Sequence, residues 1–407
     1  MNLYSYRNTS GYDMPTLVFP DADRLRELGA EFTTLAHVPI VVASSGQLLD
    51  EPSDYLRHRA LMVWRGGRNI RPSANTMRVL GYDLTTFLDW CDAVDVSWKN
   101  IERGQDTIAQ SLTGYARMMS DGRWSQTGKA LDRATIDRRL HTAGDFLAYA
   151  ADRGWRSPIV GPTIAGYGKT MAHEKTYAIP AKTDVAAWLD RLRGTTKPAQ
   201  WLMVQMVFEG GLRREEVVRL RASDIPTPDR FSSDDHQHLT IRFGTKGGRQ
   251  PDDPTHEGRP RTIRLRTSFV ERLHVHKMSI KERQGTLSRT GSKAPELFLN
   301  PQNGEAFSPA QLNKLFNRAA PAPTAPWTPH MGRHFYACWT LLEFLAQEAV
   351  LSGMGKGALA PAALEAYGKP SLLRLQTYLG HASPDTTDIY LRWASEHLRV
   401  NGVEGVR

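Results

Sequence analysis

The sequence predicts a mainly α-helical protein with one small β-hairpin, in which a helical N-terminal domain precedes a mixed α+β domain. Three observations predict this fold class. Apolar residues recur at helical spacing over much of the chain, two short stretches alternate as strands do, and a stretch rich in proline and glycine separates two sets of helices. A chain of 407 residues is also long enough for two or three domains. We therefore expect an N-terminal extension of unassigned role (1–50), a helical domain (51–156), a linker (157–182) and a C-terminal domain (183–407).

Composition and charge narrow the class of protein. The formal net charge is +9, which favours a polyanionic partner such as nucleic acid, although many basic proteins bind none. No apolar run approaches the ~20 residues that a membrane helix needs, and no basic-then-apolar export signal begins the sequence. Cys91 and Cys338 lie far apart in the sequence. They are expected to be reduced, buried residues of a cytoplasmic protein, and to form neither a disulfide framework nor a metal site.

The N-terminal domain is predicted from four stretches of helical periodicity, at 54–64, 75–91, 107–119 and 134–151. Together they indicate a small bundle. The last helix is expected to point Arg133, Arg138 and Arg139 outward. These arginines are interpreted either as a solvated face or, on a basic protein, as contacts to a phosphate backbone.

In the C-terminal domain an apolar helix at 199–209 ends at Gly210-Gly211, and a new helix is expected to begin at Leu212, with Arg213 in its first turn. Glu216, three residues on, is its expected ion-pair partner. Alternation at 238–244 and 261–266 predicts the hairpin, joined by a long polar connection. Lys246 opens that connection between glycines. It is either an ordinary loop lysine or an ammonium group presented to a phosphate.

Candidate catalytic residues also lie at two further predicted helix N-termini. Thr328 and Pro329 predict the first, with His330 and Arg333 on one face and His334 one turn beyond His330. The two histidines could bind a metal ion, but no third ligand is evident.

The second start is a turn at 379–381, Leu-Gly-His, followed by the expected cap Ser383-Pro384. The helix that follows carries Tyr390 nine residues after His381. Taken alone, Tyr390 reads as a half-buried core aromatic and His381 as a turn residue. A turn plus a short helix could equally bring both side chains to one pocket.

The candidate residues together suit phosphodiester chemistry without a metal ion. Two arginine forks match non-bridging phosphate oxygens and stay charged, and a tyrosine hydroxyl is a usable nucleophile when a base or positive field assists it. The resulting phosphotyrosine ester would store the bond energy for rejoining. The candidate catalytic residues are Arg213, Lys246, His330, Arg333, His381 and Tyr390.

Three motifs in this order make residues 180–400 resemble the tyrosine recombinases, the phage-integrase-like site-specific recombinases. GLRREEV at 211–217 resembles the family's first arginine box, HMGRH at 330–334 its His-x-x-Arg-His box, and LGH at 379–381 with Tyr390 its nucleophile segment. The helices at about 50–155 resemble the family's core-binding domain by pattern alone.

The resemblance implies a role for each matched residue. Tyr390 would form a 3′-phosphotyrosyl link, Arg213 and Arg333 would clamp the phosphate, and His330 and His381 would hydrogen-bond it or move protons. Lys246 would be the general acid for the 5′ oxygen, and Glu216 would orient Arg213. It also implies double-stranded DNA recombination sites as substrate, a homotetramer on DNA, no metal or nucleotide cofactor, and a place in the cytoplasm of a bacterium or phage host. Accessory recombination proteins and the biological task, whether integration, excision, transposition or dimer resolution, stay open.

The chain departs from the family pattern at two places. The interval from Arg333 to His381 is longer than usual, with an excess around 352–367 that is interpreted as a lid, a partner contact or a surface insertion. The long hairpin connection offers Arg249 and His256 as competitors for the acid role, and Arg249 is also a candidate DNA contact. The alternatives to a recombinase are a type IB topoisomerase or telomere resolvase, and a DNA-binding protein without cleavage.

Overall fold

The computed structural model describes residues 38–43, 45–64, 72–101, 111–125, 127–159, 178–245, 257–351, 361–381 and 385–401. The chain divides into two compact units, residues 1–173 and 174–407. The finer division into an extension, a bundle, a linker and a C-terminal domain stays a prediction. Among the described residues, no helix is long and apolar enough to span a membrane.

The described part of the first unit is helical. Its α-helices are α1 (Asp50–Ala60), α2 (Ala74–Ala93), α3 (Leu112–Ser120) and α4 (Arg133–Asp152). Serine or aspartate side chains cap the N-termini of α2, α3 and α4 by accepting a backbone N–H. The helices bury an aromatic core that includes Tyr55, Phe87, Trp90, Tyr115 and Phe146. The bundle predicted from helical periodicity is therefore present.

One of the three arginines that were predicted to point outward lies inside this bundle. Arg139 is 5% exposed, its Nε lies 3.7 Å from Oδ1 of the fully buried Asp83, and its guanidinium lies over the Tyr82 ring. Arg138 donates two hydrogen bonds to Asp83, of 2.7 and 3.0 Å, but stays half exposed. The outward prediction is wrong for Arg139 because a buried carboxylate on α2 needs opposite charge nearby. Arg133 is exposed, as predicted.

The second unit combines helices with the predicted hairpin. Its elements are α5 (Lys182–Arg193), α6 (Pro198–Gly210), α7 (Arg214–Val218), β1 (His236–Ile241), β2 (Arg261–Arg266), α8 (Thr267–Met278), α9 (Arg283–Thr290), α10 (Pro309–Phe316), α11 (Pro329–Leu351), α12 (Pro361–Leu379) and α13 (Asp385–Asn401). β1 and β2 pair antiparallel, with Ile241 opposite Arg261. Between α8 and α9 the chain turns at Ser279, and Ile280 in this turn is 82% exposed.

Two hydrophobic clusters hold the second unit together. One surrounds α6 with Trp188, Met206, Leu265 and Phe316, and the other joins α11, α12 and α13. The α6 helix is buried along most of its length, as its apolar sequence predicts. The end of α6 with the start of α7, the start of α11, and the end of α12 with α13 carry the three predicted motifs.

Candidate active site

The first motif is shaped by a glycine at the end of α6. Gly211 has a φ of 60°, and a Cβ there would lie 2.3 Å from Cδ1 of Tyr336. Only glycine accepts both this left-handed conformation and this close approach. The chain then reverses so that Arg213 is the N-cap of α7, where its backbone N–H donates to Glu216 Oε2 at 2.7 Å.

Glu216 is the centre of the site. Its carboxylate is fully buried and accepts hydrogen bonds from Arg213 (2.9 Å to Oε1) and from Arg261 (3.2 Å to Oε1 and 2.6 Å to Oε2). Arg333 lies 3.9 Å from Oε2. Burial raises the pKa of this carboxyl, but Arg261, Arg333 and Arg213 outweigh burial and hold it at about 2. The predicted pair of Arg213 and Glu216 is present, within a cluster of three arginines.

Arg333 joins three motifs through one guanidinium. It is 1% exposed, and it donates to the carbonyl oxygens of Gly211 and Leu379 while lying 3.2 Å from Nε2 of His381. Burial lowers the pKa of Arg333 to about 9, and the charges of Arg213 and Arg261 act in the same direction. The group therefore remains a cation at neutral pH.

His381 follows the turn that ends α12, where Gly380 has a φ of 61°. A guanidinium can only donate, so Nε2 of His381 accepts from Arg333 and the ring proton sits on Nδ1. Nδ1 is 3.1 Å from the buried Thr387 hydroxyl, which fixes the ring from its other side. Burial lowers the pKa of His381 to about 3, helped by the neighbouring arginines, so the imidazole is neutral.

Tyr390 lies on α13, next to this cluster. Its side chain is 2% exposed and belongs to the hydrophobic cluster of α11–α13, as a core aromatic would. Its hydroxyl lies 2.9 Å from Nδ1 of His334, and its ring is nearly parallel to that of His381 with centroids 6.3 Å apart. Tyr390 is therefore both a buried core residue and a neighbour of His334 and His381.

Of the remaining predicted residues, the structure describes His330 and Thr328 but not the others. His330 is exposed at the start of α11, with its ring centroid 4.3 Å from that of His334. Thr328 caps this helix by accepting from the Met331 N–H at 3.3 Å, as predicted. Lys246, Arg249 and His256 lie outside the described residues, as do Ser383 and Pro384.

Two residues of the site were not predicted as site residues. Arg261 looks like one more alternating residue of β2, and nothing local distinguishes it from Arg264 or Arg266. His334 was considered only as a metal ligand. Its place in the His-x-x-Arg-His box was the one available signal, but its contact with Tyr390 spans 56 residues.

Comparison with known proteins establishes the fold. No protein-family model matches the sequence, and no curated protein matches it. The solved structure of the XerH site-specific recombinase bound to a palindromic difH substrate, in a post-cleavage complex, is 18% identical, with a TM-score of 0.55 over 86% of each chain. The pre-cleavage XerH–difH complex is 17% identical, with a TM-score of 0.51 over 88% of this chain and 91% of that chain. The predicted fold class, mainly α with a small hairpin, is confirmed.

Proposed function

We propose that this protein is a tyrosine recombinase, which cuts and rejoins double-stranded DNA through a 3′-phosphotyrosyl intermediate. One observation carries the proposal. Arg213, Arg333, His381 and Tyr390 lie in four separate parts of the chain, yet Arg213 and Arg333 meet at the buried Glu216, and Arg333 contacts His381, whose ring centroid is 6.3 Å from that of Tyr390. The shared fold with the XerH site-specific recombinase supports the same activity.

The cluster suits a phosphate diester. Three guanidinium groups surround one carboxylate, so the site has an excess of positive charge before DNA binds. Arg213 keeps 19% of its side chain exposed, and an arriving phosphate can accept from its remaining N–H groups. The same charges would stabilise the pentacoordinate transition state, since they are fixed in place before the reaction.

The proposed step exchanges one phosphorus–oxygen bond for another. The Tyr390 oxygen bonds to phosphorus as its proton passes to solvent with the help of His330 or His381, and the bond from phosphorus to the 5′ oxygen breaks. Lys246, as general acid, gives the departing oxygen its proton, so the products are a 3′-phosphotyrosine and a 5′-hydroxyl. Attack by a 5′-hydroxyl from a second strand reverses the step and releases Tyr390. The ester conserves the bond energy, so no nucleotide is consumed.

The assembly proposed is a homotetramer on two DNA sites, with accessory recombination proteins acting at neighbouring sites. In the first unit, Arg133 is exposed and Arg138 half exposed on α4, and both are proposed phosphate contacts. Arg139 is better assigned to the bundle interior. The chemistry needs no metal ion or cofactor, and the proposed place of action is the bacterial nucleoid.

Trapping the covalent adduct tests the activity. A nicked suicide substrate, made from the ends of the DNA element that carries the gene, loses a short 5′-hydroxyl fragment on cleavage and cannot be rejoined. We expect the wild type to form a denaturation-resistant protein–DNA adduct, and Tyr390→Phe to bind the DNA but form none. Tyr378→Phe is the matched control, because it removes a half-buried hydroxyl from the neighbouring helix α12 and should keep the adduct.

The outcomes separate the alternatives. An adduct with Tyr390→Phe would make Tyr378 or Tyr336 the nucleophile and overturn the assignment. Tyr336 is a poor candidate because burial raises its pKa to about 12. DNA binding with no adduct by the wild type would favour a DNA-binding protein without cleavage. Relaxation of supercoiled plasmid lacking the element's sequence would favour a type IB topoisomerase, and hairpin ends would favour a telomere resolvase.

A further inference from the structure

Arg261 is a buried cation to which neither the sequence nor the proposed reaction assigns a part. It is 7% exposed and is the first residue of β2. Its guanidinium donates to both oxygens of Glu216 and also to the carbonyl oxygen of Tyr378, near the end of α12. One side chain of the hairpin therefore reaches both the α7 carboxylate and the end of α12.

The chain shortly after the other strand of the hairpin, at Gly244, approaches the backbone of Glu215 and Glu216. Gly244, just after β1, has a φ of 72°, and a Cβ there would lie 2.5 Å from the Glu215 carbonyl oxygen and 2.8 Å from the Glu216 nitrogen. Thr245 is the last described residue before Lys246. Gly244 and Arg261, which flank the connection on its two sides, thus both lie against residues of α7.

The turn before His381 rests on the same arginine. A Cβ at Gly380 would lie 2.5 Å from Cδ of Arg261, so the aliphatic stem of Arg261 packs directly under this turn. Arg333 holds the turn from its other side through the Leu379 carbonyl and His381. The position of Arg261 therefore affects Glu216 and the His381 turn together.

We propose that Arg261 is a positioning residue that fixes the β1–β2 hairpin, whose two strands flank Lys246 in the sequence, to Glu216 at the centre of the three arginines. This inference rests on the proposed recombinase function. Arg261 need not touch DNA. Its effect on catalysis passes through Glu216, which orients Arg213, and through the hairpin, which presents the general acid.

The charges around Glu216 predict how the cleavage rate of an Arg261 variant should depend on pH. Burial alone would raise the pKa of Glu216, and Arg261 is the strongest of the influences that lower it to about 2. Wild-type Glu216 is therefore ionised throughout the pH range in which DNA cleavage is measured. Without Arg261 the pKa of Glu216 rises, so the carboxylate is lost, and Arg213 is released, as the pH falls through that higher value.

The first test is the pH dependence of adduct formation in single turnover. Arg261→Met removes the charge and keeps most of the stem volume. We expect its cleavage rate to be about 10²-fold lower and to decline further on acidification, with an acid limb that the wild type lacks. Adding Glu216→Gln should abolish the new limb, because the titrating group is gone. Arg261→Lys should move the limb back toward lower pH.

The second test uses a substrate whose bridging 5′ oxygen is replaced by sulfur. A thiolate leaves without a proton, so a defect in placing the general acid disappears with this substrate. We expect Arg261→Met and Arg261→Lys to approach the wild-type rate more closely on the sulfur substrate than on ordinary DNA. Arg264→Met is the matched control on the same strand, where Arg264 instead bonds Nδ1 of His236 at 2.9 Å. It should show neither effect.

The outcomes also distinguish this inference from the proposed function. A wild type that forms no adduct overturns the function itself. A wild type that forms the adduct, with Arg261 variants that show no new acid limb or no rescue by sulfur, overturns the positioning role. If Arg261→Met does not fold, Arg261→Lys carries both measurements, because it keeps a cation but loses the fork that reaches Glu216 and Tyr378 together.

Discussion

The Tyr390 hydroxyl is the group on which the proposed chemistry depends, and Nδ1 of His334 contacts it. Burial lowers the pKa of His334 to about 3, with His330, Arg333 and His381 acting in the same direction. The imidazole is therefore neutral at any pH where the protein works. A neutral ring at 2.9 Å orients the phenol without adding a charge to an already cationic site.

We predict that His334→Leu slows adduct formation by about 10²-fold, because the hydroxyl loses a hydrogen-bonding contact that helps to orient it. His334→Asn is the conservative control, since it keeps a polar atom near the place of Nδ1, and it should retain more activity. Single-turnover cleavage and DNA binding are measured side by side, with binding unchanged. Cleavage by His334→Leu at or above the wild-type rate would mean that His334 restrains Tyr390 instead of presenting it.

At the scale of elements, the site is built from the ends of helices. Arg213 caps α7, His330 stands in the first turn of α11, and His381 follows the end of α12. Glycines at two of these junctions, Gly211 and Gly380, let the backbone reverse within one residue. A side chain at a helix end moves with the packed helix that carries it, so a small change at one of these junctions would displace a candidate catalytic group.

We predict that Gly211→Ala destabilises the second unit by about 2–4 kcal/mol, since it combines a left-handed backbone with a clash against Tyr336. Gly291→Ala is the control. Gly291 also ends a helix with a positive φ, 66°, but a Cβ there meets nothing within 4 Å, so its cost should be ~1 kcal/mol. Urea unfolding measures the free energy of unfolding of both variants. Equal losses of this free energy would contradict the role assigned to the Tyr336 contact.

For the whole molecule, the formal net charge of +9 predicts how its affinity for DNA should depend on salt concentration. Each phosphate contact made by a lysine or arginine releases counterions, so affinity should fall steeply with salt. The two units offer this charge from different sources. In the first unit it includes the surface of α4, and in the second it includes the arginine cluster of the site.

We predict that Arg133→Gln weakens DNA binding on all sequences alike and lowers the slope of log affinity against log salt by about 0.9. Arg123→Gln is the control, because Arg123 lies outside α4 and is bonded to Asp121. Fluorescence anisotropy at several salt concentrations gives both slopes. An unchanged slope for Arg133→Gln would remove α4 from the proposed DNA contacts.

Local spacing determined a large part of this protein. Helical periodicity predicts the bundle and most of the second unit, alternation predicts the hairpin, and an i, i+3 spacing predicts the pair of Arg213 and Glu216. The candidate site residues come from the resemblance of three motifs to those of the tyrosine recombinases. The helices, the hairpin strands and the Arg213–Glu216 pair follow from contacts within a few residues of one another, and hydrogen bonding and side-chain spacing along one element decide them.

Only the tertiary structure decided what surrounds those residues. Arg261 reaches Glu216 across 45 residues, and His334 reaches Tyr390 across 56. Arg139 turns inward because Asp83 is buried on another helix. No periodicity encodes such contacts, since each depends on which helices and strands pack together. The sequence therefore determined the elements and the candidate residues, whereas packing decided that one buried carboxylate would gather three arginines.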